Sequence, residues 1–445
     1  MSASPHPVPP PKHPSAMTRF YIDTRPLVTA SPKSLPLLST LQFSEQESIT
    51  RFLRPADRFM SLASALLKYT FIHREAGMPW SDIRISRTPA PHKRPYWEPP
   101  ELWTRQTTSP SDPMPSETKG LEFNVSHQAG LVAILGCTTP TAQLPTAPSK
   151  SISQVTPLSP TPPTGSFDQL SLTGHHMPTL GDGQVRLGVD IACTNEDKRT
   201  PKDVTTQAKF DEWVDIFAEM FSDRERRTMR FAPVHMPVSE REEGDYSSSS
   251  SSDSSSSAGD VYTSVTAQGG RGREAKTIEQ KLRRFYAYWA LKEAYIKMVG
   301  EGLLASWLRE LEFLDVVPPA IPDAVIKARR IQRKRNRGRS VASGANTAPN
   351  AQAGNHAHLH PDELLHEAQK WTTPEKAERG VTTLFRGDRV DDVDIELVAY
   401  DEDFLIATAT RGLRELDRPE GRRWIRLDIE RDIRPCAEGR CSCLL

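Results

Sequence analysis

The sequence has few cysteines and no long apolar run, and each absence argues against a class of protein. Five cysteines occur in 445 residues, at Cys137, Cys193, Cys436, Cys441 and Cys443. Their number is odd and their spacing matches no zinc motif, which argues against a secreted disulfide framework and favours a reducing cytoplasm. No stretch reaches the roughly 18 apolar residues of a spanning helix, and the N-terminus lacks an apolar signal segment, so we expect a soluble protein without a membrane partner.

The sequence also lacks an excess of charge of either sign. Lys plus Arg and Asp plus Glu number 57 each, so no overall field favours nucleic acid. A local basic run, KARRIQRKRNRGR at 327–339, makes a nucleic-acid-binding protein the rival function from another class. Because the run has no interleaved aromatic residues and no reading motif, we interpret it as a solvated insertion and expect no nucleic-acid partner.

Proline, by contrast, is abundant: 38 prolines and several Ser-rich stretches indicate that the folded part is smaller than the chain. These segments bury too little apolar surface to offset the entropy of ordering. The segments expected to be disordered are 1–17, 138–183, about 233–273 and about 318–380. Residues 418–445 form a C-terminal extension, and its last residues place Ser442 where a prenylation box requires cysteine, so a frayed tail is predicted.

Two stretches with the periodicity of folded protein remain, at 18–137 and 184–417. The first is predicted to contain a strand from Thr18, a helix from Pro55 to about Arg74 ended by Gly77, and strands at 82–86, 121–127 and 130–136. The second is predicted to contain a strand at 184–192, helical sequence at 210–229, a long helix from about Lys276 to Val299 ended by Gly300, and strands at 308–316, 393–400 and 403–411. We therefore predict an α+β fold of two similar halves, with a ligand cleft between them, in a monomeric protein.

Three acidic and basic residues in the second half are candidates for chemistry. Asp190 interrupts an apolar strand, so its carboxylate either makes a turn or is paired or bound to a metal. Glu293 and Lys297 are four residues apart on one face of the long helix, which is typical of a surface ion pair but also places two catalytic groups together. Glu225 is interpreted as a helix-capping or ion-pairing residue in preference to a site residue.

The first half offers a hydroxyl, an imidazole and two basic clusters. Ser126 and His127 are neighbours in a strand and point to opposite faces, so they are not a hydrolase dyad, and the spacing suits His127 equally to a phosphate contact or a turn. Arg58 belongs to a basic cluster at the start of the first long helix, and Lys93 and Arg94 lie in a basic loop. Either cluster suits phosphate or a solvated surface.

Five motifs occur in a fixed order: KRPY at 93–96, FNVSH at 123–127, GVDI at 188–191, FSDRE at 221–225 and WALKEAYIK at 289–297. In this order they resemble the Sfp-type 4'-phosphopantetheinyl transferases, over about 20–136 and 185–411 less the insertions, and the insertions are similar to those of larger fungal members. The resemblance implies two α+β halves related by a pseudo-twofold axis, with coenzyme A in the cleft. It also implies Mg²⁺-dependent transfer of 4'-phosphopantetheine from coenzyme A to a serine of an apo carrier protein, with release of 3',5'-ADP.

The resemblance further implies which residues act. Asp190 and Glu293 would hold Mg²⁺, while His127 and Lys297 would contact the pyrophosphate of coenzyme A, with Ser126 in the same binding site. The residue two after the metal-binding Asp is often Glu in bacterial members and is Ala192 here, so water is expected in place of a third carboxylate.

The nucleotide and its 3'-phosphate would be bound by Arg58, Lys93 and Arg94. As a mechanism we hypothesise that Glu293, directly or through a water, takes the proton of the carrier serine and that Lys297 stabilises charge on the pyrophosphate. Carrier partners typical of the family are fatty acid synthase, polyketide synthase, peptide synthetase and aminoadipate reductase. The alternative is a relative that binds coenzyme A but has no catalytic activity. Loss of the third carboxylate at Ala192 would be the first sign of such a protein.

Overall fold

The structure is a computed structural model, and it describes most of the two predicted halves. The described residues are 17–30, 34–88, 94–100, 119–140, 185–196, 201, 203–234, 259–301, 305–319, 380–400, 403–413 and 423–444. The segments predicted as disordered at 1–17, 138–183 and 318–380 lie almost wholly outside them, as do the basic run at 327–339 and Lys93.

The N-terminal half is a sheet covered by one long helix. Its strands are β1 (Thr18–Asp23), β2 (Ile85–Arg87), β3 (Pro95–Trp97), β4 (Lys119–Gln128) and β5 (Leu131–Pro140). Its helices are α1 (Arg25–Ala30), α2 (Phe43–Thr50) and α3 (Pro55–Ala76). Strands β1, β5 and β4 are antiparallel neighbours, while β2 and β3 form a separate ribbon.

Helix α3 begins and ends where the sequence predicts. Pro55 occupies the first turn, where its missing N–H costs nothing, and Gly77 at φ 62° caps the C-terminus in the left-handed region that favours glycine. Leu62, Leu66 and Tyr69, spaced by four and three residues, are buried in the hydrophobic core of this half. The helix therefore forms the core of the N-terminal half.

The C-terminal half repeats this plan. Its strands are β6 (Arg186–Cys193), β7 (Leu311–Leu314), β8 (Thr382–Phe385), β9 (Asp388–Arg389), β10 (Val393–Tyr400) and β11 (Phe404–Arg411). Its helices are α4 (Gln207–Ile216), α5 (Asp223–Phe231) and α6 (Gly259–Val299). Strands β10, β11 and β6 form an antiparallel sheet on which α6 packs, and β7, β8 and β9 form a smaller one. The predicted α+β fold with two similar halves is confirmed.

Two helix predictions need correction. The helical sequence at 210–229 forms two helices, because Ser222 caps α5: its hydroxyl accepts from the Glu225 N–H while the Glu225 carboxylate accepts from the Ser222 N–H. Helix α6 begins at Gly259, inside a segment expected to be an insertion, and ends at Gly300, whose φ is 88°.

The prediction of a frayed C-terminal tail is wrong. The last strand, β12 (Ile425–Arg426), pairs in parallel with β1, and a short helix, α7 (Arg434–Ala437), follows it. Leu427, Ile429 and Ile433 are buried in the core of the N-terminal half. Each such side chain contributes about 1.5–3 kcal/mol by burial, so the tail is an integral part of that half.

A shared core joins the two halves. Tyr21 of β1 and Tyr400 of β10 pack edge to face with ring centroids 5.2 Å apart. Beside them Arg19 and Glu396, both buried, form an ion pair of 2.6 Å. Among the residues that the structure describes, no helix has both the length and the apolar composition needed to cross a membrane.

Candidate active site

Close approach of α6 to β6 builds the centre of the candidate site. A β-carbon placed on Gly188 would lie 1.9 Å from the carbonyl oxygen of Ala294 and 2.6 Å from the amide nitrogen of Met298. Only glycine therefore lets the helix lie directly on this strand. The contact brings the Glu293 to Lys297 turn of α6 over Asp190, which follows Gly188 on the same face of β6.

Asp190 is buried and bound by two side chains from the other elements of the site. Lys297 Nζ lies 2.5 Å from Asp190 Oδ1, and Ser126 Oγ donates to the same oxygen at 3.1 Å. Lys297 Nζ also donates to Ser126 Oγ at 3.0 Å. Asp190, Lys297 and Ser126 thus form one charged network contributed by β6, α6 and β4.

Glu293 adds a second carboxylate with an unusual proton affinity. Its pKa is raised to about 7, mainly by burial and also by the negative charge of Asp190, against the opposing effect of Lys297. Burial likewise raises the pKa of Asp190, against the opposing effects of Lys297 and Ser126. A carboxyl group with a pKa near the working pH is suited to take up or release a proton.

These residues fit a divalent cation. Asp190 and Glu293 are close enough for each charge to disfavour the other, and a bound cation relieves such repulsion. Both offer carboxylate oxygens, which Mg²⁺ prefers, and Mg²⁺ keeps several waters when few protein ligands are present. The donor set is therefore compatible with Mg²⁺ held by two carboxylates.

Ala192 lies where some relatives are expected to carry a third carboxylate. It shares the face of β6 that carries Asp190, as predicted, but it is 1% exposed and belongs to the apolar core of the C-terminal half. Its neighbours in that core are apolar, which does not favour the water expected at this position.

A ladder of side-chain hydrogen bonds joins β4 to the edge of β6. The Val189 N–H donates to Asn124 Oδ1 at 3.0 Å and the Ile191 N–H donates to Ser126 Oγ at 3.3 Å. The ladder continues from the Cys193 N–H to Gln128 Oε1 at 3.3 Å. Polar side chains at every second position of β4 therefore accept hydrogen bonds from backbone N–H groups at the edge of β6. These bonds align the two halves. Sequence reasoning missed this role, although the alternation in 124–128 was the signal for it.

His127 lies on the opposite face of β4 from Ser126. Its side chain is exposed whereas that of Ser126 is 4% exposed, which agrees with the alternation expected of strand neighbours. Ser126 and Lys297 supply hydrogen bonds to Asp190. His127 follows Ser126 in β4 and presents its side chain on the exposed face of the strand.

Arg94 bridges the halves near the other end of β6. Its guanidinium forms an ion pair with Glu122 and donates to the carbonyl oxygen of Leu187 at 3.3 Å. Arg186, which the sequence analysis did not single out, lies close enough for Glu122 and Arg94 to affect its pKa, which burial lowers. Arg186 Nε is buried without a hydrogen-bond partner among the described residues. Two guanidinium groups with an unsatisfied donor suit an anionic ligand.

Arg58 makes a local contact instead. Its Nε donates to the carbonyl oxygen of Phe52 at 2.5 Å, within the loop that precedes α3. Contacts of the described residues do not connect Arg58 to Asp190 or Arg94. Lys93 lies outside the described residues.

Glu225 is buried away from these groups. It forms an ion pair of 2.9 Å with Lys292, and both side chains are fully buried. The Glu225 carboxylate also accepts from the N–H of Phe313 at 2.9 Å and from that of Ser222 at 3.0 Å. These contacts agree with the capping and ion-pairing role preferred from the sequence.

Comparisons with known proteins identify the family of the chain. The family described as "4'-phosphopantetheinyl transferase, N-terminal" matches residues 30–139, and the "4'-phosphopantetheinyl transferase superfamily" matches residues 264–346. The chain is 38% identical to 4'-phosphopantetheinyl transferase A of Aspergillus fumigatus and 35% identical to 4'-phosphopantetheinyl transferase NpgA of Emericella nidulans, each over 96% of both chains. It is 29% identical to a 4'-phosphopantetheinyl transferase of Aureobasidium melanogenum, over 94% of this chain and 96% of that one.

The chain belongs to the 4'-phosphopantetheinyl transferase family. It is an enzyme that transfers the 4'-phosphopantetheine group, in a family that uses coenzyme A and Mg²⁺ and acts on carrier proteins.

Proposed function

We propose that Asp190, Glu293 and Lys297 form the transfer site of this enzyme. The observation that carries the proposal is the close packing of α6 on β6 at Gly188, which brings the two carboxylates and the ammonium group together at the boundary of the two halves. In the proposed reaction a serine oxygen of the apo carrier protein attacks the pantetheine-side phosphorus of coenzyme A. The phosphorus–oxygen bond to the leaving group breaks, and 3',5'-ADP is released.

Each residue has a distinct task in this reaction. Glu293 accepts the proton of the carrier serine, directly or through a water. Lys297 donates hydrogen bonds to oxygens of the pyrophosphate as negative charge develops there. Asp190 and Glu293 would hold Mg²⁺, which would supply positive charge to neutralise the pyrophosphate. Phosphoryl transfer depends mainly on such positioning and charge neutralisation.

Ser126 is assigned a positioning role. Its hydroxyl donates to Asp190 and accepts from Lys297 and from the Ile191 N–H, so its hydrogen-bonding capacity is fully used. We therefore expect it to fix Asp190 and Lys297 and to contact coenzyme A only at the margin.

The basic residues of the N-terminal half bind the rest of coenzyme A. Arg94, together with Arg186, supplies guanidinium groups for the 3'-phosphate of the nucleotide, and His127 contacts the pyrophosphate from the exposed face of β4. Lys93 and Arg58 complete the nucleotide contacts. The other substrate is any apo carrier domain with an accessible serine, as in fatty acid synthase, polyketide synthase, peptide synthetase or aminoadipate reductase, and we place the reaction in the cytoplasm.

The test is the intact mass of an apo carrier protein after incubation with the enzyme, coenzyme A and Mg²⁺. We expect a gain of one phosphopantetheine that EDTA prevents and that Glu293→Ala slows by about 10²–10⁴-fold. Glu279→Ala, on an exposed face of the same helix, is the matched control and should transfer normally. Normal transfer by Glu293→Ala would remove Glu293 from the site, and binding of coenzyme A without transfer to any carrier would favour the dead relative suggested by Ala192.

A further inference from the structure

Four potential metal ligands meet where the C-terminal segment packs on α3. They are His73, Cys436, Cys441 and Cys443, and their ligand atoms all lie within 4.8 Å of one another. His73 and Cys436 are buried, and the other two are half-buried. The cluster shares no residue with the proposed transfer site. Spacing analysis missed it because the imidazole comes from the opposite end of the sequence, 368 positions before Cys441.

Two of the distances between these ligand atoms are close to those of a tetrahedral zinc site. A zinc ion binds sulfur at about 2.3 Å and nitrogen at about 2.0–2.1 Å, so tetrahedral angles place two sulfurs about 3.8 Å apart and a sulfur and a nitrogen about 3.5 Å apart. Cys436 Sγ and Cys443 Sγ are 3.7 Å apart. His73 Nε2 and Cys441 Sγ are 3.1 Å apart, a few tenths of an ångström shorter than this spacing.

The histidine is oriented as a metal ligand. His73 Nδ1 lies 2.7 Å from the carbonyl oxygen of Met78, and because a carbonyl oxygen only accepts, Nδ1 carries the proton. The lone pair of Nε2 then points at the sulfurs. Metal-bound histidines regularly donate their other N–H to a backbone carbonyl in this way.

The backbone around α7 is shaped to present the three thiols together. Gly439, at φ 66°, lies in the left-handed region, and the Arg440 N–H donates to the carbonyl oxygen of Pro435 at 2.7 Å. This turn reverses the chain after Cys436, so that Cys441 and Cys443 return to it.

The charge of such a site is also compensated. Three thiolates around Zn²⁺ leave one net negative charge. The guanidinium of Arg74, next to His73 in the sequence, donates to the carbonyl oxygen of Asp432 at 2.9 Å and is thereby held at the C-terminal segment that carries the cysteines. A cation fixed near the sulfurs offsets part of this negative charge.

We propose that His73, Cys436, Cys441 and Cys443 bind one zinc ion in a structural site that fixes the C-terminal segment to α3. Three sulfurs and one imidazole nitrogen select zinc over hard cations such as Mg²⁺. Four protein ligands leave no open position for a substrate, as in structural sites generally. The site joins residues far apart in sequence, and zinc binding there stabilises the packing of the tail that carries β12.

The direct test is the zinc content of the purified full-length protein, measured by elemental mass spectrometry after dialysis against metal-free buffer with a reductant. We expect about one zinc per chain in the wild type and a loss of most of it in Cys443→Ser and in His73→Ala. Cys137→Ala removes a buried thiol outside the cluster and should keep its zinc. Absence of zinc from the wild type, followed by failure to take it up from added ZnCl₂, would overturn the proposal.

A second measurement applies to the wild type alone and remains valid if a variant fails to fold. The zinc is exchanged for Co²⁺, and the visible spectrum is expected to show the intense bands of tetrahedral cobalt bound by thiolates. Removing the zinc with a chelator should lower Tm and make three further thiols reactive. Octahedral cobalt bands, or a Cys436–Cys443 disulfide in the mass of the unreduced protein as isolated, would each contradict the proposal.

Discussion

Gly188 lies directly against the backbone of Ala294, and this contact sets the distance between β6 and α6. A β-carbon at position 188 would be 1.9 Å from the Ala294 carbonyl oxygen, a distance that real atoms do not reach. Because the clash is with helix backbone, no side-chain rotation can relieve it. The position of Lys297 and Glu293 over Asp190 therefore depends on the absence of a side chain at Gly188.

Gly188→Ala is accordingly expected to displace α6 and to impair both stability and transfer. Overpacking of this kind costs about 1–3 kcal/mol or more. A displacement of about 1 Å at catalytic groups lowers the rate by about 100-fold. Tm and the rate of carrier modification measure the two effects. Gly120→Ala is the control, because the close contact of its β-carbon, 2.8 Å, would be with the side-chain oxygen of Thr139, which can rotate away, while the nearest backbone atom lies at an ordinary 3.9 Å. Equal transfer by both variants would show that the close approach is not needed.

The raised pKa of Glu293 predicts a pH dependence of stability in the metal-free enzyme. Its folded-state pKa of about 7 exceeds the ordinary value of 4.5, so folding favours the protonated form. The stability from this group is fully present below pH 4.5 and is lost as pH rises towards 7.

The variant Glu293→Gln isolates the effect of Glu293 ionisation on stability, because a Gln side chain resembles the protonated carboxyl group at every pH. With EDTA present, the Tm of Glu293→Gln minus that of the wild type should increase between about pH 5 and pH 7.5. A difference that stays constant over this range would show that the pKa of Glu293 is not raised. Glu279→Gln, at an exposed position on α6, is expected to show no such trend.

The sequence was sufficient to locate the site elements but not their contacts. The strand carrying Asp190 and the helix carrying Glu293 follow from local periodicity, and Gly300 and Gly77 end their helices as predicted. The break at Ser222 was missed because an amphipathic pattern continues through it, although a capping box was present. The pairing of His73 with the C-terminal cysteines and the bonding of Asn124 to β6 depend on tertiary contacts, which local periodicity does not encode.

The two faces of β4 predict different effects for substitutions at Asn124, which belongs to the ladder, and at His127, which is exposed. Asn124→Ala leaves the buried Val189 N–H without an acceptor, which costs about 1–3 kcal/mol. His127→Ala removes an exposed side chain, so its Tm should remain near that of the wild type while KM for coenzyme A increases. Thermal melts measure the loss of stability expected for Asn124→Ala. Initial rates at varied coenzyme A concentration measure the increase in KM expected for His127→Ala. An unchanged Tm for Asn124→Ala would show that the ladder does not hold the halves together.

The buried pair of Glu225 and Lys292 tests whether the FSDRE motif acts in structure or in transfer. Glu225→Ala leaves the Lys292 ammonium buried without its partner, and breaking such a pair costs about 3–5 kcal/mol. The double variant Glu225→Gln/Lys292→Met should be less destabilised than Glu225→Ala, because it removes both charges. Asp223→Ala, on the same helix with a carboxylate 69% exposed, should change the stability much less than Glu225→Ala does. Urea unfolding measures the free energy of unfolding of each variant. We expect every variant to retain kcat per folded molecule, because these substitutions do not change the packing of α6 on β6 at Gly188. Loss of kcat in a Glu225 variant of normal stability would instead assign Glu225 to the transfer site or to carrier binding.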